Sequence, residues 1–286
     1  MLVTDLSQAP NMRVVGTDRL YSLLSDLGRL QDRNTSFDAV REVAARARVG
    51  TAVVGSFARA GEQVRINARV QDANTGDVLA SESVSGDTDD LFALVDQLTE
   101  SISENFSMPS MSIEMTEKMA AAGMGDRRLR EVTTESMDAY KLFNEAEMLK
   151  LASREAEAAP LLESAVALDP DFAMAHAKLS VVRSNMGEMA GALTAAERAF
   201  ELSEKLPPRE RYYIQGRYYS LRQDTVPQAI AAYERLLELF PDDTSARNNL
   251  AIIFLDLERY SEAIEHFEQL RNQGAQFAGT YGNLAD

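Results

Sequence analysis

The chain has 286 residues, 45% hydrophobic and 26% charged, with no cysteine and a formal net charge of −16. This composition belongs to folded domains, and the length suits two of them or one extended array. The acidic balance argues against non-specific binding to nucleic acid or anionic membranes, which needs a basic face, and the absence of thiols excludes disulfides, thiolate zinc sites and cysteine nucleophiles.

Residues 1–106 read as a small α/β domain with about four strands. Met1–Gln8 ends a short helix, and the apolar run Met12–Val15 suits a strand. Thr17 or Asp18 is placed to cap a helix carrying Leu20, Leu23, Leu24 and Leu27 at helical spacing, ended by Gly28. Ser36 caps the next, through Phe37, Val40, Val43, Ala44 and Ala47. The period then changes to two. Thr51–Phe57, Val64–Val70 and Val78–Val84 form a meander, turned at Ala60-Gly61 and Asn74-Thr75-Gly76. Asp87–Asp90 open a helix through Leu91, Leu94, Val95, Leu98 and Ile102, their carboxylates set against its N-terminal dipole.

Residues 107–135 form a connector. Met108, Met111, Met115, Met119 and Met124 are dense there, and from Met108 to Met119 their spacing fits one helix face, a flexible strip for packing one domain on the other. From residue 136 helices alternate at a period of 34 residues, over approximately 136–150, 154–168, 171–186, 189–204, 208–222, 226–239, 243–256 and 260–272. Ala158, Leu162, Ala165 and Pro170 hold positions 20, 24, 27 and 32 of a unit beginning at Ala139, and Ala192, Ala196 and Ala199 recur 34 residues on. Ala229, Tyr233, Leu236 and Pro241 follow after a three-residue insertion, then Ala263, Phe267 and Leu270. Small residues at 20 and 27 let paired helices approach, a bulky one at 24 fills the gap, and proline stops the second helix. Phe277–Leu284 starts a fifth unit that stops halfway.

This pattern resembles the tetratricopeptide repeat (TPR) family, four units of which run in register. The resemblance implies an all-α solenoid over 136–286, so that the whole chain is α+β with two domains, and it implies a concave surface that binds a protein or peptide partner. In the family, positions 2, 5, 9 and 12 of each first helix face that groove. In this chain those positions hold Tyr140, Phe143, Glu147 and Lys150, then Met174, Ala177, Val181 and Ser184, then Arg211, Ile214, Tyr218 and Leu221, then Ser245, Asn248, Ile252 and Leu255, of which Tyr140, Phe143, Glu147, Ala177, Val181, Ile214, Tyr218, Asn248 and Ile252 are taken as site residues. Asn248 and Asn249 have amides suited to a peptide backbone. The lysine-and-arginine clamp that some members use on a C-terminal carboxylate is not reproduced.

The segment VVGSFARAGEQVRINARVQDANTGDVLASESVSGDTDDLFALVDQLTESI resembles the TolB-like N-terminal domain. Bacteria place that domain beside TPR arrays in serine/threonine kinases, adenylate cyclases and winged-helix regulators. The family's opening strand of the type IAVLPF does not precede Leu2–Ser7, so Met1 is read as starting mid-domain, with the sheet one strand short and an edge open to homodimer formation. The compartment follows from that context: outside the cytoplasm beside a membrane-spanning kinase, otherwise inside it. No run of 18 apolar residues predicts membrane insertion within the chain.

Chemistry is sparse. No phosphate-cradling glycine loop, H-R-D loop or D-F-G triplet occurs. His176 falls at a helix-packing position and His266, beside Glu262 and Glu265, is expected in solvent. Asp87, Asp89 and Asp90 lack the spacing of a calcium loop. Arg209, Arg211, Arg217 and Arg222 alternate with Tyr212, Tyr213, Tyr218 and Tyr219, which helical packing and local acid pairing explain better than nucleic-acid binding. The expectation is a non-catalytic scaffold without metal or cofactor: the accessory region of a bacterial signalling protein such as a serine/threonine kinase. A free-standing periplasmic or envelope assembly factor is the alternative, and an enzyme with an unrecognised acidic site the weaker one.

Overall fold

The structure, a computed structural model, describes residues 1–9, 14–29, 36–105, 117–118, 121–122 and 128–273. It is mostly helical with one small antiparallel sheet. The chain divides into two compact units, one of Met1–Leu129 with Asp242–Asp286 and one of Arg130–Pro241.

The first unit opens with helices α1 (Leu2–Leu6), α2 (Thr17–Asp26) and α3 (Phe37–Ala47), followed by strands β1 (Thr51–Ala60), β2 (Gln63–Asp72) and β3 (Val78–Asp87) and helix α4 (Leu91–Asn105). The sheet order is β1-β2-β3, with Gly55 opposite Ala68 and Ile66 opposite Val84. Alternation along β2 buries Val64, Ala68 and Val70, and the last two pack with Leu98 and Ile102 of α4 and with Leu6. The ladder between β2 and β3 slips between Val70 and Gln71. Next to it Asp72 accepts from the backbone N–H of Asn74 (2.8 Å) and Thr75 (2.9 Å), which closes the turn and holds its carboxyl below the usual range.

Among the described residues the sheet has three strands where about four were expected. Residues 12 and 13 lie outside the described set, and Val14 and Val15 join no ladder. Helix α2 begins after Gly16, which is its N-cap and provides no side-chain cap, so Thr17 is its first helical residue. Ser36 does cap α3, accepting from Ala39 N at 3.3 Å, and Asp87 accepts from Asp89 N at 3.2 Å to open the turn before α4. The five connector methionines and Phe277–Leu284 fall outside the described residues.

After α5 (Leu129–Val132), the Arg130–Pro241 unit pairs α6 (Met137–Leu151) with α7 (Glu155–Leu168), α8 (Ala173–Asn185) with α9 (Met189–Leu202), and α10 (Pro208–Ser220) with α11 (Val226–Leu239). The alanines explain the pairing. Ala139, Ala146, Ala158, Ala165 and Ala175 are wholly buried beside Leu162 and Phe172, because only a methyl fits where two backbones approach this closely. The third pair solves the same problem in reverse. Its bulky Tyr233 is fully buried, and Gly216 opposite it provides the room.

A last pair, α12 (Thr244–Asp256) and α13 (Tyr260–Asn272), belongs to the first unit. Asp243 caps α12 at Ala246 N, 3.0 Å. The buried Arg19 of α2 donates to Ala47 O at 3.1 Å and lies 3.6 Å from the Asp242 carboxylate and 3.5 Å from Gln273 O. One guanidinium thereby joins the end of α3 to both ends of the last helix pair.

The repeat is also written in the backbone. The turns inside the first, second and last pairs each hold a left-handed residue: Ser153 (φ 54°), Gly187 (φ 81°) and Glu258 (φ 59°). In the α10–α11 pair a 3₁₀ turn over Gln223–Thr225 takes that place, held by Thr225 Oγ1 donating to Tyr219 O at 2.7 Å. Glycine has no Cβ to clash with the backbone in this conformation, an advantage of roughly 1 kcal/mol over other residues. Glu258→Gly is therefore expected to raise stability by about 0.5–1 kcal/mol in chemical denaturation.

Candidate functional site

In the Arg130–Pro241 unit, the first helices α6, α8 and α10 are joined by side chains. Glu147 of α6 pairs with Lys178 of α8 at 3.0 Å and with Lys150 at 3.2 Å. Lys178 Nζ then sits 5.0 Å above the Tyr213 ring of α10. Arg217 of α10 reaches back to α8, donating to Ser180 O (3.0 Å) and Ser180 Oγ (3.2 Å). The Glu147 and Lys178 side chains are 10% and 5% exposed, so each charge is tolerated only in company. Burial also pushes the Arg217 guanidinium below its ordinary pKa.

This framework changes the role of three residues expected in the groove. Glu147 is a buried strut, and Ala177 and Ile214 are each 1% exposed, packed beneath the surface. Tyr140, Phe143, Val181 and Tyr218 remain half-buried at the surface of the same helices. Their rings are held by neighbours. Phe143 lies 6.4 Å from Tyr140 and 4.9 Å from Phe172, and Tyr218 stacks on Phe200 at 4.3 Å with Tyr219 edge-on at 5.4 Å. Arg222 donates to the Tyr218 hydroxyl at 2.8 Å with its guanidinium 5.2 Å from that ring. Arg217 and Arg222 thus bond to hydroxyl and carbonyl oxygens, and the nearby acids Glu197 and Asp224 act on Arg222 through their charge. On α12 of the other unit, Asn248 and Asn249 are half-buried and Ile252 is 39% exposed.

Neither histidine is placed for metal or acid–base work. His176 Nε2 lies 3.0 Å from Pro170 O, and burial lowers its pKa. His266 is not in free solvent as expected: it stacks on Phe254 at 5.5 Å, its Nδ1 is buried, and burial together with Arg247 lowers its pKa. Among the described residues no group of three or more His, Asp or Glu side chains is placed to hold a metal, and no helix is long and apolar enough to cross a membrane. The arrangement offers aromatic faces held by their neighbours and hydrogen-bonding amides. Sequence reasoning missed the Glu147–Lys178–Tyr213 chain, in which Lys178 lies inside the buried run Ala177–Ser180.

The Tetratricopeptide repeat family profile matches residues 218–277. "Putative adenylate cyclase 3" of Rhizobium meliloti (strain 1021) is 27% identical over 181 residues, which is 63% of this chain and 28% of that protein. The chain therefore aligns with less than a third of this relative's length. Similar solved structures include MamA 41-end from Desulfovibrio magneticus RS-1, 17% identical over 66% of this chain and 96% of that one, TM-score 0.34. They also include YrrB, titled a TPR protein with an unusual peptide-binding site, 19% identical over 51% and 74%, TM-score 0.30. The thermophilic TPR protein TTC0263 of Thermus thermophilus is 14% identical over 51% and 97%, TM-score 0.35. The profile begins at the end of α10 and runs through α11, α12 and α13, so over residues 218–277 the chain is similar to the tetratricopeptide repeat family.

Proposed function

We propose that this chain is a non-catalytic interaction module that holds a segment of a protein partner against the half-buried row Tyr140, Phe143, Val181 and Tyr218. The observation that carries this reading is that these side chains lie on successive first helices, tied together by Glu147–Lys178 and Arg217–Ser180, with their rings already fixed by neighbours. Rings that lose little freedom on binding make strong anchors. Proteins with TPR repeats are in general protein–protein interaction scaffolds. Asn248, Asn249 and Ile252 lie on α12 in the other unit and are proposed as a contact surface of that unit by itself.

The wider reading keeps the TolB-like domain at 1–106, the connector at 107–135 and four TPR units with half a fifth from 136. It places the chain in the accessory region of a bacterial signalling protein such as a serine/threonine kinase, outside the cytoplasm if that kinase spans the membrane and inside it otherwise. The similarity to part of a protein named as a cyclase supports signalling as the setting. The joint variant Phe143→Ala and Tyr218→Ala is expected to weaken capture of a partner at least tenfold, since a single central aromatic anchor contributes about 2 kcal/mol or more. Capture unchanged from wild type, with Glu201→Ala on the exposed side of α9 as control, would count against the groove.

A further inference from the structure

Charge in the Arg130–Pro241 unit is divided between the two kinds of helix. The second helix α7 carries Glu155, Glu157 and Glu163 and no basic residue. The first helix α8 is the reverse, with Lys178 and Arg183 and no carboxylate, and α10 sets three arginines against Glu210. On α6, Glu147 is shared between two ammonium groups, Lys178 at 3.0 Å and Lys150 at 3.2 Å. The other acids of α6 lie away from the aromatic row. Asp138 pairs with Lys141 at 2.9 Å, and the exposed Glu145 follows Phe143 by two residues, about 200° round the helix. Arg183 turns away as well, to Glu163 of α7 at 2.7 Å. Arg217 forms no ion pair among the described residues; the groups bearing on its charge are Tyr213 and Tyr233, neither of them a carboxylate.

We infer that the partner segment held on this face is acidic, with one Asp or Glu carboxylate received by Lys150 and another by Arg217. The inference rests on the reading of the first-helix face given above and adds the chemistry of its guest. Both cations have donors to spare. Lys150 has three N–H groups and a single carboxylate partner, which it shares with Lys178. Arg217 spends Nε and Nη2 on Ser180, and its Nη1 donates to no described group. The Lys150 side chain is 19% exposed and Arg217 is half-buried, so water screens these charges less than those on the open surface. An apolar guest would cover them further and return no counter-charge, and a basic guest would be repelled. A carboxylate offsets the desolvation that its own docking causes. Spacing follows from the scaffold. Lys150 connects to α8 through Glu147 and Arg217 through Ser180, so the two charges flank one helix, about 10 Å across. At roughly 3.3 Å per residue, acids about two to four residues apart in an extended segment match that span.

The test selects a displayed library of random dodecapeptides on the whole chain, then measures each enriched peptide as a fluorescein-labelled synthetic. Peptides whose binding is lost in the joint variant Phe143→Ala and Tyr218→Ala are expected to carry paired Asp or Glu residues. Replacing those acids by Asn or Gln in the peptide is expected to weaken binding at least about tenfold, and added salt is expected to weaken the acidic form alone. Lys150→Gln and Arg217→Gln are each expected to weaken the acidic peptides about five- to tenfold and to leave their amide analogues unchanged, while Arg198→Gln on α9 alters neither. Because the acid-to-amide exchange is made in the peptide, that comparison holds even if Arg217→Gln fails to fold. Peptides that depend on Phe143 and Tyr218 but are neutral or basic, or bind equally after amide replacement, would overturn this inference and leave the groove reading standing. Acidic peptides that depend on Lys150 and Arg217 but not on the two rings would uphold the charge assignment and overturn the aromatic reading. Enrichment of no peptide that depends on either pair would overturn both.

Discussion

Gly216→Ala is expected to destabilise the Arg130–Pro241 unit by about 2 kcal/mol, the reverse of what helix preference alone predicts. Alanine is favoured over glycine inside a helix by roughly 1 kcal/mol. Here the added Cβ would lie 2.5 Å from Tyr233 Cε1, 2.6 Å from Cζ and 2.8 Å from Cδ1. Tyr233 is 0% exposed and has no space to retreat into, so the backbones of α10 and α11 must part, at about 3 kcal/mol for a rigid overpacked site. The overpacking term wins. Denaturant unfolding of the purified protein reads the difference. Tyr233→Leu, which reproduces the size found at Leu162 in the first pair, is expected to restore most of the loss when combined with Gly216→Ala, a non-additivity diagnostic of direct contact. A single variant more stable than wild type would contradict the close approach.

Glu147→Ala is expected to cost about 3–5 kcal/mol, on the scale for breaking a buried ion pair by removing one member. The variant removes the carboxylate 3.0 Å from Lys178, whose side chain is 5% exposed. The exposed Arg154–Glu157 pair, at 2.6 Å, is closer still, yet Glu157→Ala is expected to leave stability close to wild type. Depth, not distance, decides. Replacing Glu147 and Lys178 together by methionine removes both desolvation terms, and stability close to wild type is expected. Because this strut joins α6 to α8, Glu147→Ala should also weaken partner capture even though Glu147 offers the partner no surface. Thermal unfolding of the four proteins side by side checks all of this.

The helical half of the fold was legible because its signals are local. Alanine spacing and turn residues place 226–239 and 260–272 where Val226–Leu239 and Tyr260–Asn272 form, and the remaining spans differ by no more than about two residues at most ends. Depth was not legible. The family's groove positions give the direction of a side chain on its helix, but Glu147, Ala177 and Ile214 are covered by neighbouring helices that no local pattern announces. His266 was expected in water because its sequence neighbours are acidic, yet Phe254 lies across its ring from α12. The same limit applies to Arg19, whose contacts with Ala47, Asp242 and Gln273 lie 28 residues and more away along the chain. A strand at Met12–Val15 followed from apolar content alone, and its described residues, Val14 and Val15, join no ladder. Close packing at Gly216 was invisible for a different reason: a glycine in a helix explains itself only when the ring opposite it is seen.

The central claim is that the surface of α6, α8 and α10 receives another protein. Site-specific cross-linking asks this most directly, with p-benzoylphenylalanine placed at Phe143, at Tyr218 and, as a control, at Glu201 in cells that make the protein. The same partner polypeptide captured from Phe143 and Tyr218 but not from Glu201 is the predicted result. Equal capture from all three positions, or none from the first two, would contradict it.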